Sequence, residues 1–448
     1  MEFRILAPTA ILGYGFPEKS FEAGLARKPD LIAVDGGSTD PGPYYLGSGK
    51  SFVSRQAEKR DLSYMLRAAS AHNIPCIIGT AGGSGATPHV DATLQIIREI
   101  VRENSLRFET GVIYADQTQE SVLQKLDTGE IQAVRCAPEL TGDDVSRSTR
   151  IVAQMGVEPI VEMLDAGCQL IVCGRCYDPA VFAAPALRLG FDPGPALHLG
   201  KVLECAAIAA IPGSGRDCAF GVLHQDHFEL EALGPQRQFT PASVAAHTLY
   251  EKSNPSLLAG PGGTLDVSGA EFKSNGNGGV IVRGSVFNAS LDYWIKLEGV
   301  IKTGYRTISI SGIRDPVFIR HLDSALDDVR DEVVDQYGAG VRLEFHRYGR
   351  NAVMGPLEPD PAGGEREIGL IIDAVADAPD TARAACGLAR SMLLHYGFPG
   401  RITTAGNLAI LYSPSDVDCG EVYEFSVYHL MRVENGKAIF SSRRMSVE

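Results

Sequence analysis

Apolar residues in the first half of the chain fall in short runs separated by one-sided stretches. FRILAP, LIAVDGG, IPCIIGT, RFETGVIYAD and QLIVCGR have the length and branched content of strands buried on both faces. Between them, FEAGLAR, KRDLSYMLRAASAHN, VDATLQIIREIVRE, ESVLQKLDTG and VEPIVEMLDAG repeat apolar positions at helical spacing. In the second of these, Leu62, Met65, Leu66 and Ala69 share a face. Pro179 to Leu189 also reads as a helix. This alternation predicts an α/β fold with a mostly parallel sheet and helices on both faces. Ligands of such sheets sit beyond the carboxyl ends of the strands, so the loops at those ends carry the functional reading.

The pattern changes after about residue 213. VLHQDHFELEAL, TLDVSG, VIVRGSVF, YWIKLEGV and YRTISISGI alternate polar and apolar positions without long helices between them, as antiparallel strands do. A helix over Val317–Tyr337 and the strand VRLEFHRYG follow. Beyond a Pro/Gly-rich linker, Gly355–Gly364, come EIGLIIDAVA, a helix over Thr381–Tyr396, and the strands NLAILYSP and EVYEFSVYHLMRV. Three domains are expected: an α/β domain over 1–213 with the Gly-rich loops, a strand-rich segment over 214–303, and a C-terminal α+β, ferredoxin-like layer over 304–448.

Composition narrows the partners. The chain has 448 residues, a net charge of −14 and no basic run, so neither nucleic acid nor an anionic membrane surface is expected to bind it. MEFRILAPTAIL lacks the basic start of a signal peptide, and no uncharged apolar stretch reaches the roughly 18 residues of a membrane span. Nine scattered cysteines, an odd number, point to reduced thiols and a cytoplasmic location.

The candidate chemistry lies at the strand ends. CIIGTAGGSGATPH, residues 76–89, runs from strand through glycine turn to helix, a geometry that aims backbone amides at a phosphate or carboxylate. Its spacing matches neither the dinucleotide fingerprint nor the P-loop, and a tight turn needing glycine explains it equally well. Thr80, Gly82, Gly83, Ser84 and Gly85 are its candidate substrate-binding residues, with His89 placed to act on what binds. In DGGSTD, Asp35 and Asp40 can serve as bases or hold a divalent metal, backed by Gly36 and Gly37; the alternative is a plain turn. Asp116 closes the YAD strand. In CGRCYDP, Arg175 can clamp a carboxylate and Asp178 can act as a base, while no second CxxC completes a zinc site. These four loops are expected to converge on one edge of one sheet.

Two further clusters stand apart. On a strand, His224 and Asp226 share a face and His227 points away, a poor arrangement for a metal pair. His198, Lys201 and Glu204, at i, i+3 and i+6, make a polar cluster if helical. No GxSxG, GxxxxGK[ST] or HExxH occurs, so the main hydrolase, NTPase and metalloprotease signatures are missing.

DGGSTDPGPYYLG, GTAGGSGATPHVD, VCGRCYDPAVFAAPAL and KLEGVIKTGYRTISISGIRDP together resemble the acyclic terpene utilisation AtuA family, over residues 1 to about 350. The resemblance implies bacterial catabolism of a carboxylic acid or its acyl-CoA thioester, in a family named from citronellol and geraniol breakdown, with some members encoded beside a small companion protein. It supplies no catalytic residues. The expectation is a cytoplasmic catabolic enzyme of hydratase/lyase type, with Asp35, Asp40, His89, Asp116 and Asp178 as candidate bases. Gly36, Gly37, the loop from Thr80 to Gly85 and Arg175 would hold the anion. Two alternatives remain open: a hydrolase or transferase using Cys176 or Ser84 as nucleophile, and a non-catalytic subunit that binds an acyl-CoA or organic acid. A homo-oligomer, with or without a small companion subunit, is the expected assembly.

Overall fold

The apolar runs of the first half become neighbours in one sheet. Phe3–Ala7, Leu31–Asp35, Cys76–Gly79, Leu170–Cys173 and Phe108–Ile113 lie side by side in that order, all parallel. Every residue of Leu31–Asp35, Cys76–Gly79 and Leu170–Cys173 is buried, which is why these runs are continuous rather than alternating. The computed structural model describes residues 1–134, 137–250, 252–359 and 364–448, so part of the Gly355–Gly364 linker lies outside the described residues.

The sheet continues in antiparallel sense at both edges. Ala219–Leu223, His227–Ala232, Gly279–Arg283 and Glu271–Ser274 extend it beyond Phe3–Ala7, and Ser442–Val447 closes the other side against Phe108–Ile113, giving ten strands among the described residues. Helices Arg55–His72 and Thr87–Glu103 bury Leu62, Met65 and Leu66, and Val90, Leu94 and Ile97, in one cluster with Ile32, Val34, Ile78 and Val172. Each fully buried Leu or Ile contributes about 1.5–3 kcal/mol. Ser54 caps the first of these helices by accepting from the Ala57 amide at 3.3 Å. Asp61 has a role beyond the helix dipole: it is buried within that helix and accepts from the Gly13 and Gly15 amides at 2.8 and 3.0 Å, tying down the loop after the first strand.

Two compact units are present. One is Met1–Ile301 with Phe425–Glu448; the other is Lys302–Glu424. The second unit runs strand, helix Pro316–Tyr337, strands Arg342–Tyr348 and Ile368–Ala376, helix Pro379–His395, strand, in antiparallel pairing. Its own core includes Phe318, Leu322, Leu370, Ile372, Ala385 and Leu393.

Several elements differ from the pattern reading. YWIKLEGV and YRTISISGI form one continuous strand, Tyr293–Ile313, because Gly299 and Gly304 do not break it. NLAILYSP shrinks to Ala409–Ile410. Arg150–Ala153 and Ser442–Val447 are strands whose short, charge-bearing sequences carry no period. Among the described residues, no helix is long and apolar enough to cross a membrane.

Candidate functional site

Register aligns the strand ends. Asp35 pairs with Gly79, Ile78 with Val172 and Ile113 with Cys173, so the loops after these strands emerge side by side at one edge. They press on one another closely. A Cβ on Gly36 would lie 2.5 Å from the Thr80 carbonyl oxygen, and one on Gly85 would lie 2.2 Å from the Arg175 backbone nitrogen. Gly85 also sits at φ +66°, where an L side chain is strained. Gly85→Ala is therefore expected to destabilise by about 2–3 kcal/mol, read as a lowered thermal unfolding midpoint.

The glycine loop is filled from within. Its Gly83 and Gly85 amides donate to the Thr80 and Ala81 carbonyls at 3.0 and 3.2 Å. The next amides, of Ala86 and Thr87, donate to His89 Nδ1 at 3.2 Å and to Asp116 Oδ2 at 2.8 Å, and the Thr87 hydroxyl adds 2.7 Å to the same Asp116 oxygen. The negative group at this helix N-terminus is thus the chain's own Asp116. His89 Nε2 faces the carbonyls of Tyr45 and Lys50, both at 3.1 Å. Burial lowers the His89 pKa, and both ring nitrogens of the neutral imidazole are engaged.

A cavity of about 460 Å³ opens at the same edge, wholly within the first unit. Of the residues expected from the sequence, Asp40, Arg175 and Asp178 line it, with Asp40 exposed. Asp35 stands behind them, and Thr80 Oγ1 accepts from the Cys176 amide at 3.3 Å. His89, Asp116, Ser84 and the glycines at 36, 37, 82, 83 and 85 do not line it. Gly37 instead donates its amide to Asp35 Oδ2 at 3.1 Å.

At the cavity wall, Lys201 and Glu204 pair at 2.7 Å with 2% and 6% of their side chains exposed. Lys201 belongs to helix Pro193–Leu203 and Glu204 caps its C-terminus. Burial raises the Glu204 carboxyl to about 8 even against Lys201, and Asp178 pushes the same way. The negative end of the helix dipole acts in that direction too. Among the described residues, Glu204 Oε2 is buried without a hydrogen-bond partner, as is Asp35 Oδ1. Asp35 is raised well above the usual carboxylate range, first by burial and then by Asp178, with Arg175 opposing. Two buried carboxyls with raised pKa, Asp35 behind the cavity and Glu204 at its wall, therefore both lie close to Asp178, and perturbed acids mark sites of chemistry.

Arg175 is anchored rather than open. Its Nε donates to Glu298 at 2.7 Å, and its Nη1 donates to Asp178 at 3.0 Å and to the Cys176 carbonyl at 2.8 Å. Lys296 meets the other Glu298 oxygen at 2.8 Å. Burial by itself would lift the Glu298 carboxyl, but Arg175 and Lys296 together outweigh it and hold it down at about 2. Burial pushes the Cys176 thiol up to about 12, so at neutral pH it stays protonated.

His198 is buried and bonds to neither Lys201 nor Glu204. Its nitrogens meet the Ser285 and Thr248 hydroxyls at 2.6 and 2.9 Å, and burial lowers it to about 3. Glu298, Lys296 and Trp294 were missed by the sequence reading. The available signal was two opposite charges two residues apart in YWIKLEGV, which puts them on one face of a strand. A second, mainly apolar recess of about 450 Å³ is lined by Ala137, Pro138, Phe425 and His429, and shares Val134, Ser253 and Tyr428 with the first cavity.

Residues 52–211 match the model of the acyclic terpene utilisation family protein AtuA. The matched stretch spans the glycine loop, Arg175, Asp178, Lys201 and Glu204, and ends before Lys296 and Glu298. The description of that family names acyclic terpene utilisation. Comparisons with curated proteins and with solved structures found no match.

Proposed function

We propose that the chain is a catabolic enzyme of hydratase/lyase type, acting on a carboxylic acid or its acyl-CoA thioester. The observation that carries this reading is Glu204, a buried carboxyl raised to about 8 with one oxygen that has no hydrogen-bond partner among the described residues, at the wall of a cavity large enough for a C10 acid. An acid or base whose pKa lies near neutrality is best placed to move a proton at working pH. In this scheme the Glu204 carboxylate takes a proton from the carbon beside the substrate carbonyl. The electron pair left behind delocalises onto the carbonyl oxygen as an enolate. Lys201 and Lys252, both on the wall, supply positive charge for that oxygen or for a free carboxylate. Loss of a β-hydroxyl as water, with a proton returned to it, completes a dehydration; the reverse is hydration. The apolar recess beside Val134 and Tyr428 suits the hydrocarbon chain.

The nucleophile reading gains no support from this geometry, since Cys176 holds its proton and Ser84 does not line the cavity. Trp294 provides the test of binding. It is the single tryptophan and lines the cavity. Titration with citronellic acid, and with its CoA thioester, is expected to change tryptophan emission saturably for at least one of them. A flat response to both would remove the cavity as the binding site for this substrate class.

A further inference from the structure

The strands Ala219–Leu223 and His227–Ala232 form a hairpin, and its tip holds His224, Gln225, Asp226 and His227. The His224 amide donates to the His227 carbonyl at 2.8 Å, closing the turn. Chain reversal at this turn overrides the strand period that had sent the two histidines apart. Their rings instead stack with centroids 4.3 Å apart and planes 10° from parallel. Glu229 brings its carboxylate to 3.6 Å from His224 Nε2, and one ligand atom from each of His224, His227 and Glu229 lies within 4.8 Å of the others.

Two features point to a cation there. Among the described residues, His224 Nε2 is buried without a hydrogen-bond partner, so a strong ligand atom faces the cluster unsatisfied, with the Glu229 carboxylate just beyond bonding distance. Asp226 meets His227 Nδ1 at 2.7 Å, the arrangement by which an outer carboxylate fixes a metal-binding imidazole and leaves Nε2 as the ligand. All three ligand side chains keep partial solvent access, which gives an ion a way in.

We propose that His224, His227 and Glu229 bind one divalent transition-metal ion, with Asp226 as the outer partner of His227. Two imidazoles and one carboxylate suit zinc or its neighbours, whereas magnesium and calcium call for oxygen ligands alone. Binding requires the two stacked rings to tilt apart, so that their in-plane lone pairs converge on the ion at the roughly 2.0–2.2 Å of zinc coordination, with water in the fourth position. The site is separate from the cavity. Leu223 pairs with Phe3, so the hairpin tip lies at the sheet edge where the parallel strands begin, opposite the edge where they end. The ion clips the hairpin and binds the folded state, so it raises stability by linkage.

The experiment uses the full chain stripped with a chelator and titrated with zinc, by calorimetry and by competition with a zinc indicator. One equivalent is expected to bind, with a higher thermal midpoint at saturation. The double variant His224→Gln, His227→Gln should weaken binding about 100-fold or more and abolish the zinc-dependent shift. Its metal-free midpoint should match the parent's, which separates ligand loss from misfolding. Cobalt loaded in place of zinc should give an absorption spectrum without a thiolate charge-transfer band, which excludes the cysteines as ligands. Absence of zinc binding to the parent, or equal zinc affinity in the double variant, overturns the proposal.

Discussion

Glu298→Ala should lower the stability of the chain by about 3–5 kcal/mol, the usual cost of removing one partner from a buried ion pair. Glu298 is fully buried between Arg175 and Lys296, and Arg175 is itself only 3% exposed. Without the carboxylate, buried Arg175 keeps only Asp178 as an anionic partner, and Lys296, whose side chain is 21% exposed, loses its own. Denaturant midpoints of parent and variant measure the loss. The pH dependence gives the sign. The Glu298 pKa is depressed to about 2 in the folded chain from an ordinary 4.5. Its stabilisation is therefore complete above the unfolded value and fades as pH falls from about 4.5 through about 2. The gap between parent and variant should be widest near neutral pH and should narrow in acid. A gap that does not change with pH would mean that Glu298 acts through packing alone.

Glu204→Gln should reduce turnover by about 10²–10⁴, the usual contribution of a general base, while the amide oxygen can still accept from Lys201. Its stability signature is opposite in sign to that of Glu298. The Glu204 carboxyl is raised from 4.5 to about 8 by burial, so the parent is most stable below the unfolded value and loses stability as pH rises through about 8. The glutamine variant avoids that loss, and its stability relative to the parent should improve between pH 5 and 9. Turnover by the parent should rise with pH to a plateau above about 8, as a base that must first lose its proton requires. The variant should lack that ionisation. A purely structural Glu204 would leave turnover and its pH profile unchanged.

Glu298, Glu204 and the strand-end loops were unequally legible in the sequence. The strand ends were readable because burial on both faces writes continuous apolar runs, and parallel strands all point their carboxyl ends to the same side of the sheet. That placed Asp35, Gly83, Asp116 and Arg175 at neighbouring loops, as the register has them. The use of each loop was not readable. Glycines in GTAGGSG serve equally for an open amide cradle and for close packing, and only three-dimensional neighbours reveal Asp116 and His89 filling the cradle. Lys201 and Glu204 appeared as polar residues at helical spacing. What sets Glu204 apart is burial at a cavity whose other walls include Lys252, Leu257 and Trp294, far along the chain. Glu298 lay in a segment read only as a strand, and its partner Arg175 is 123 residues away. The His224–His227 pair failed for a local reason: the strand period was carried through a turn that reverses it.

Proton abstraction beside the carbonyl, with Glu204 as the base, is tested most directly by solvent exchange. Citronellic acid and its CoA thioester are incubated with the chain in deuterium oxide, and deuterium at the carbon beside the carbonyl is followed by NMR and mass spectrometry. The parent and the His224→Gln, His227→Gln variant should both incorporate deuterium in at least one of the two compounds, while Glu204→Gln should not. Incorporation by the Glu204→Gln variant at the parent's rate, or none by the parent with either compound, would contradict the account.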